Sequence, residues 1–113
     1  MPFIDLKTTK KITENDKSEL TALLGKAIEL IPGKSEEWLM LNFSGEQTMA
    51  FKGSFEDSAI LEVKIFGKAT RDSYDSLTRE LCKIMNELFG IRKDRVYVKY
   101  EECSIWGWND INF

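Results

Sequence analysis

The sequence predicts an α/β fold in which two strand–helix–strand units form one four-stranded mixed sheet, with two helices packed on one face. Three observations predict it. Alternating apolar and polar residues mark a strand at Pro2–Thr8 and again at Ala59–Phe66. A stripe of apolar residues at helical spacing follows each of them. The two halves also superpose by eye with an offset of 58 residues, which brings Leu23 onto Leu81, Leu30 onto Leu88, Ile31 onto Phe89 and Trp38 onto Val96.

In the first half, Ile4 and Leu6 share one side of the opening strand, and Phe3, Asp5 and Lys7 share the other. Thr13 with Asp16 three residues on approximates a capping box. Leu20, Leu23, Leu24, Ala27, Ile28 and Ile31 then trace a helix that Pro32-Gly33 stops. Glu37–Phe43 reads as a mostly buried strand, and Ser44–Ser58 as a long connection with a short extended piece at Met49–Phe51.

In the second half, Gly67-Lys68 turns the chain out of the strand. Asp72–Phe89 is helical, with Leu77, Leu81, Ile84, Met85 and Leu88 on one face and Gly90 as its stop. Arg95–Tyr100 is a further strand, and Trp106–Phe113 an aromatic tail. Parallel strands within each unit need the intervening helix as a crossover. The face of the sheet away from the helices reads as apolar too, and a trimer would cover it.

The 113 residues fit a single domain spanning 1–113, small enough that oligomerisation is a natural way to bury more apolar surface. A net charge of −3 argues against a nucleic-acid partner. No apolar run approaches the roughly 18 residues of a membrane span, so no membrane partner is expected. Cys82 and Cys103 are too few for a disulfide framework; Cys82 lies among apolar helix positions and reads as a small buried hydrophobe. Histidine is absent, which removes the commonest metal ligand and the commonest general base. No metal and no cofactor is expected. The chain opens in a strand pattern rather than a signal peptide, which implies the cytoplasm, or export without a leader.

Pro2 follows the initiator methionine, and its small side chain permits Met1 to be trimmed. The trimmed chain begins with a secondary amine, whose ordinary pKa near 8 is the nearest to neutrality of any group present. Burial in an apolar pocket and a neighbouring cation each disfavour the charged form. A downward shift of about one to two units leaves the nitrogen able to accept a proton at pH 7. In a chain without histidine, this is the available base.

The segments PFIDL at the start, GKSEEW at Gly33–Trp38, MAFKGS at Met49–Ser54, FGK at Phe66–Lys68, DRVYVKY at Asp94–Tyr100, and GWN with the terminal Phe113 occur in order over essentially the whole chain. Their spacing resembles that of the macrophage migration inhibitory factor family, within the tautomerase superfamily. The resemblance implies a homotrimer with active sites at subunit interfaces, and a keto–enol tautomerase of the phenylpyruvate or dopachrome type. Pro2 matches the family's catalytic proline. Lys34 matches the lysine that holds a substrate carboxylate and depresses the proline pKa. Phe66 falls where the backbone contributes to the pocket. Tyr97 falls where an adjacent subunit donates a tyrosine to the substrate.

Trp38, Trp106, Trp108 and Phe113 fall on the family's apolar rim, although plain trimer packing accounts equally well for Trp106, Trp108 and Phe113. The partner implied is a small α-keto acid. A second reading is a cytokine-like ligand of a host receptor, with the tautomerase activity vestigial. Lys99 replaces an asparagine of mammalian members, which implies a more cationic far end to the pocket. Ser58-Ala59-Ile60-Leu61 replaces the family's Cys-x-x-Cys, so a thiol–disulfide role lacks its residues.

Overall fold

A computed structural model describes residues 1–113. The main sheet runs in the order β2-β1-β3-β4, with β1 Pro2–Thr8, β2 Met40–Ser44, β3 Ala59–Phe66 and β4 Val96–Cys103. β1 pairs parallel with β2, and β3 parallel with β4, while β1 and β3 meet antiparallel at the centre. The sheet is therefore mixed and built from two parallel units placed back to back. Helices α1 (Glu14–Ala27) and α2 (Arg71–Phe89) are the crossovers.

Both helices begin at a threonine cap. Thr13 accepts a hydrogen bond from Asp16 N–H through its hydroxyl, and the Asp16 carboxylate accepts one from Thr13 N–H, at 3.1 and 2.9 Å. Thr70 caps α2 by accepting from Ser73 N–H. Gly90 ends α2 in the left-handed region at φ 69°, and its N–H returns to Asn86 O. The apolar stripe of the first helix runs past Ala27, but its last turn, Ile28–Leu30, tightens to a 3-10 helix before Pro32-Gly33.

The core lies between the helices and one face of the sheet. Ile4 and Leu6 of β1 and Leu61, Val63 and Ile65 of β3 meet Leu20, Leu24 and Ile28 of the first half and Leu77, Leu81, Ile84 and Met85 of α2, all buried. These contacts correct the internal repeat. At an offset of 58, Leu23, which is 41% exposed, falls on the fully buried Leu81, and Ile4 falls on Glu62. At 57, Leu20, Leu24, Ala27 and Ile28 fall on Leu77, Leu81, Ile84 and Met85, and Ile4 and Leu6 on Leu61 and Val63. Every pair is then core on core. A slip of one residue exchanges the two faces of a strand, which is why the burial pattern decides between the two values.

Three further expectations need correction. Glu36–Trp38 is a 3-10 turn, closed by Leu39 N–H donating to Glu36 O, so the second strand starts at Met40 and Trp38 is not in it. That strand is at the sheet edge and only half buried. The fourth strand starts at Val96 and extends to Cys103, because Lys93–Arg95 form their own 3-10 turn. The face away from the helices is not apolar. Asp5 and Lys7 of β1, Glu62 and Lys64 of β3, and Lys99 and Glu101 of β4 alternate on it with Phe3, Ile60, Phe66 and Tyr97. Their charges are matched, with Lys7 2.8 Å from Asp5 and Lys99 3.2 Å from Glu101. Such a face can stand in water.

The corrected repeat makes a direct prediction. Leu24→Ala should cost about 2–5 kcal/mol of unfolding free energy in urea titrations, because a fully buried side chain leaves a cavity. Leu23→Ala should cost less than about 1 kcal/mol.

Candidate active site

The chain start is held at one end of the sheet by a chain of polar contacts. Phe66, the last residue of β3, donates its N–H to the Met1 carbonyl at 3.0 Å. The Phe66 carbonyl in turn accepts from Lys34 Nζ at 2.8 Å. The Pro2 nitrogen is the atom bonded to that Met1 carbonyl carbon, and Pro2 itself is buried. The backbone of one residue thus joins the N-terminus, the end of a core strand and a cation from the loop after α1.

Lys34 reaches this point because of what ends α1. The 3-10 turn Ile28–Leu30, Pro32 and Gly33 at φ 81° reverse the chain, and Lys34 N–H bonds back to Ile31 O at 3.1 Å. A positive φ at Gly33 suits glycine alone at little cost. The reversal leaves the lysine stem free to cross to the strand end.

An aromatic wall stands beside this cluster. Phe66 lies 6.1 Å from Phe113 between ring centroids, Phe113 6.4 Å from Trp108, and Trp108 4.9 Å from Trp38 in an edge-on contact. The tail delivers these rings as a hairpin, β5 (Gly107–Trp108) and β6 (Ile111–Asn112). Asn109 and Asp110 turn it with positive φ at both positions, a backbone these two residue types tolerate. Trp106 closes the base of the hairpin through its backbone, accepting from Phe113 N–H at 2.9 Å. Trp38, Trp108 and Phe113 remain 43–46% exposed, so the wall is accessible.

The electrostatics follow from the geometry. The amine of Met1, one residue ahead of Pro2, is held below its ordinary value, first by burial and then by the charge and hydrogen bonding of Lys34. Both act against the protonated form. An amine at this end of the sheet is therefore biased toward a free lone pair.

Pro2, Lys34, Phe66, Trp38, Trp108 and Phe113 come together within one chain, with Trp106 at the edge. Tyr97 and Lys99 do not join them. Tyr97 pairs with Ile60 and Pro2 with Ile65, so five residues of β3, about 17 Å, separate their positions. Tyr97 is 59% exposed on the charged face, and Lys99 is ion-paired there with Glu101, so its charge is largely offset. Two residues escaped sequence reasoning. Phe51 packs on the Tyr97 ring at 4.7 Å, and Arg95 is 3% exposed, holding the segment that carries Phe51. An arginine at a strand start gives no sign of burial when its partners are main-chain carbonyls.

Two strand–helix–strand units with a chain start enclosed by a lysine and an aromatic hairpin define a compact class of α/β proteins. The family model described as Macrophage migration inhibitory factor (MIF) matches residues 1–111. The chain belongs to the macrophage migration inhibitory factor family. It is 28% identical to the macrophage migration inhibitory factor of Xenopus laevis, with 100% of this chain and 99% of that protein covered. Among solved structures it is similar to Leishmania major MIF2, with TM-score 0.93, 26% identity and coverage of 100% and 97% of the two chains. The homologue from Prochlorococcus marinus matches with TM-score 0.88, 27% identity and 98% coverage of both chains.

In the chain that retains Met1, Lys34→Ala should raise the pKa of the Met1 amine while leaving it below the ordinary value, because burial, the larger cause, remains. Competitive acylation of the amine across pH, read by mass spectrometry, measures the shift.

Proposed function

We propose that this protein is a keto–enol tautomerase acting on α-keto acids that carry an aryl group, with the Pro2 amine as general base. The reading is carried by one observation: the Phe66 backbone draws Lys34 and the chain start to one point, its carbonyl accepting from Lys34 Nζ at 2.8 Å and its N–H reaching, at 3.0 Å, the Met1 carbonyl whose removal frees the Pro2 amine there. Membership of the family supports it. Removal of Met1 is part of the proposal, since a tertiary amide nitrogen has no basic lone pair.

The substrate carboxylate sits on Lys34, and its aryl ring lies against the wall formed by Trp38, Trp108 and Phe113. Neutral Pro2 takes a proton from the carbon next to the ketone. The electron pair moves onto the ketone oxygen, giving an enolate; its oxygen takes a proton from solvent while protonated Pro2 returns its proton to solvent, which gives the enol and restores the neutral amine. Microscopic reversal returns the proton from Pro2 to carbon. Lys34 favours the negative charge that develops on oxygen. A second copy of the chain supplies Tyr97 and Lys99, since both lie too far from Pro2 of their own chain. A trimer with a site at each interface satisfies this requirement.

The base must be unprotonated, so kcat/KM should rise with pH through the amine pKa and level off by about pH 8. Pro2→Gly keeps a terminal amine but loses the ring. It should lower kcat/KM for phenylpyruvate by about 100-fold or more, followed as ketone–enol absorbance. Intact-mass measurement must place the start of the active chain at Pro2. Turnover by Pro2→Gly at the parental rate, or by a chain retaining Met1, would overturn the assignment.

A further inference from the structure

We propose that Arg95 is a positioning residue for Tyr97, acting through Phe51, and so tunes substrate handling at a site it does not touch. The inference rests on the reading above, in which Tyr97 faces the substrate bound to a neighbouring copy.

Arg95 is nearly sealed from water, and its guanidinium spends four hydrogen bonds on main-chain carbonyls of a single segment. Nε–H donates to Asp57 O at 2.9 Å and Nη1–H to Phe51 O at 3.1 Å. Nη2–H donates to Glu56 O at 3.0 Å and Ser54 O at 3.4 Å. Its nearest carboxylate is the Glu56 side chain at 3.8 Å, which is 67% exposed. A buried cation is costly unless its donors are satisfied, and here backbone dipoles of one loop satisfy them. The planar fork suits this task and an ammonium does not.

That loop needs holding. Phe51 and Ser54 exchange backbone hydrogen bonds at 2.9 and 3.1 Å around Lys52 and Gly53, which sit at φ 52° and 73°. A left-handed lysine persists where its surroundings over-determine it. The same guanidinium lies 5.3 Å from the centre of the Phe51 ring, Lys52 Nζ lies 5.5 Å from it, and the Tyr97 ring packs on it at 4.7 Å between centroids. Tyr97 is 59% exposed, its hydroxyl makes no hydrogen bond within the chain, and Phe51 is the aromatic ring packed against it. Arg95 therefore sets the turn, the turn sets Phe51, and Phe51 sets Tyr97.

The test is a double-mutant cycle on phenylpyruvate turnover. Arg95→Lys keeps the charge and loses the fork; it should lower kcat/KM about tenfold. In a Tyr97→Phe background the same change should have less than about a twofold further effect, because the hydroxyl being positioned is gone. The acid limb of the pH profile, which reports the amine, should not move. If Arg95→Lys fails to fold, Phe51→Leu replaces it in the cycle with the same expectation. Strictly additive losses, or a parental kcat/KM in the folded variant, would overturn the positioning role while leaving the Pro2 reading intact. A parent chain beginning at Pro2 that shows no turnover would instead defeat both together.

Discussion

The backbone of Phe66 is what the rest depends on. Phe66 terminates β3, and its two polar groups hold different partners: the N–H holds the Met1 carbonyl and the carbonyl holds Lys34. Because β3 pairs with β1 through Ala59–Ile65 and with β4 as far as Phe66, and buries Leu61, Val63 and Ile65 in the core, this residue is held in place. The cleft inherits the rigidity of the sheet. Groups carried on strands are held more closely than groups on loops, and here the chain start, usually the loosest part of a protein, opens directly into a central strand.

The two halves use the same device for different ends. In both units a strand leads through a helix to a parallel strand, and the registers agree, with Ile4 opposite Leu41 and Leu61 opposite Val98. The loop after the first helix delivers Lys34 to the end of the sheet where the chain begins. The corresponding turn in the second half, Lys93–Arg95, sends its arginine inward to organise the loop at the opposite end. One repeat thus furnishes a half-buried cation beside the chain start, and the other a fully buried cation. The alternating charges on the remaining face of the sheet leave it compatible with water, so any assembly across it relies on charge matching and on the aromatic rings that punctuate it, rather than on a continuous apolar surface.

Much of this was legible in the sequence, and the reasons are specific. Period-two alternation in Pro2–Thr8 and Ala59–Phe66 survives because one face of each strand packs entirely against helices. The caps at Thr13 and Gly90 are local and so readable. The edge strand was misplaced because aromatic and aliphatic residues at Trp38–Leu39 resemble a strand, whereas a turn hydrogen bond from Leu39 decides the matter. The repeat was set one residue off because Leu23 and Leu24 are chemically alike and only burial distinguishes them. Pro2, Lys34, Phe66 and the rim aromatics were found through resemblance to a family; composition and spacing alone would have left Lys34 a solvated lysine near a helix end. The roles of Arg95 and Phe51 depend on main-chain carbonyls and ring contacts brought together across more than forty residues, and no pattern of residue types encodes that.

The central claim concerns the ionisation of one nitrogen, and it can be observed without any substrate. Protein labelled with 15N-proline gives a distinct resonance for the nitrogen of Pro2 when it is the chain terminus, and its chemical shift can be followed from acid to alkaline pH. The account predicts a titration midpoint clearly below the ordinary value near 8. A midpoint at or above that value, or a resonance that does not titrate because the nitrogen remains an amide, would contradict it.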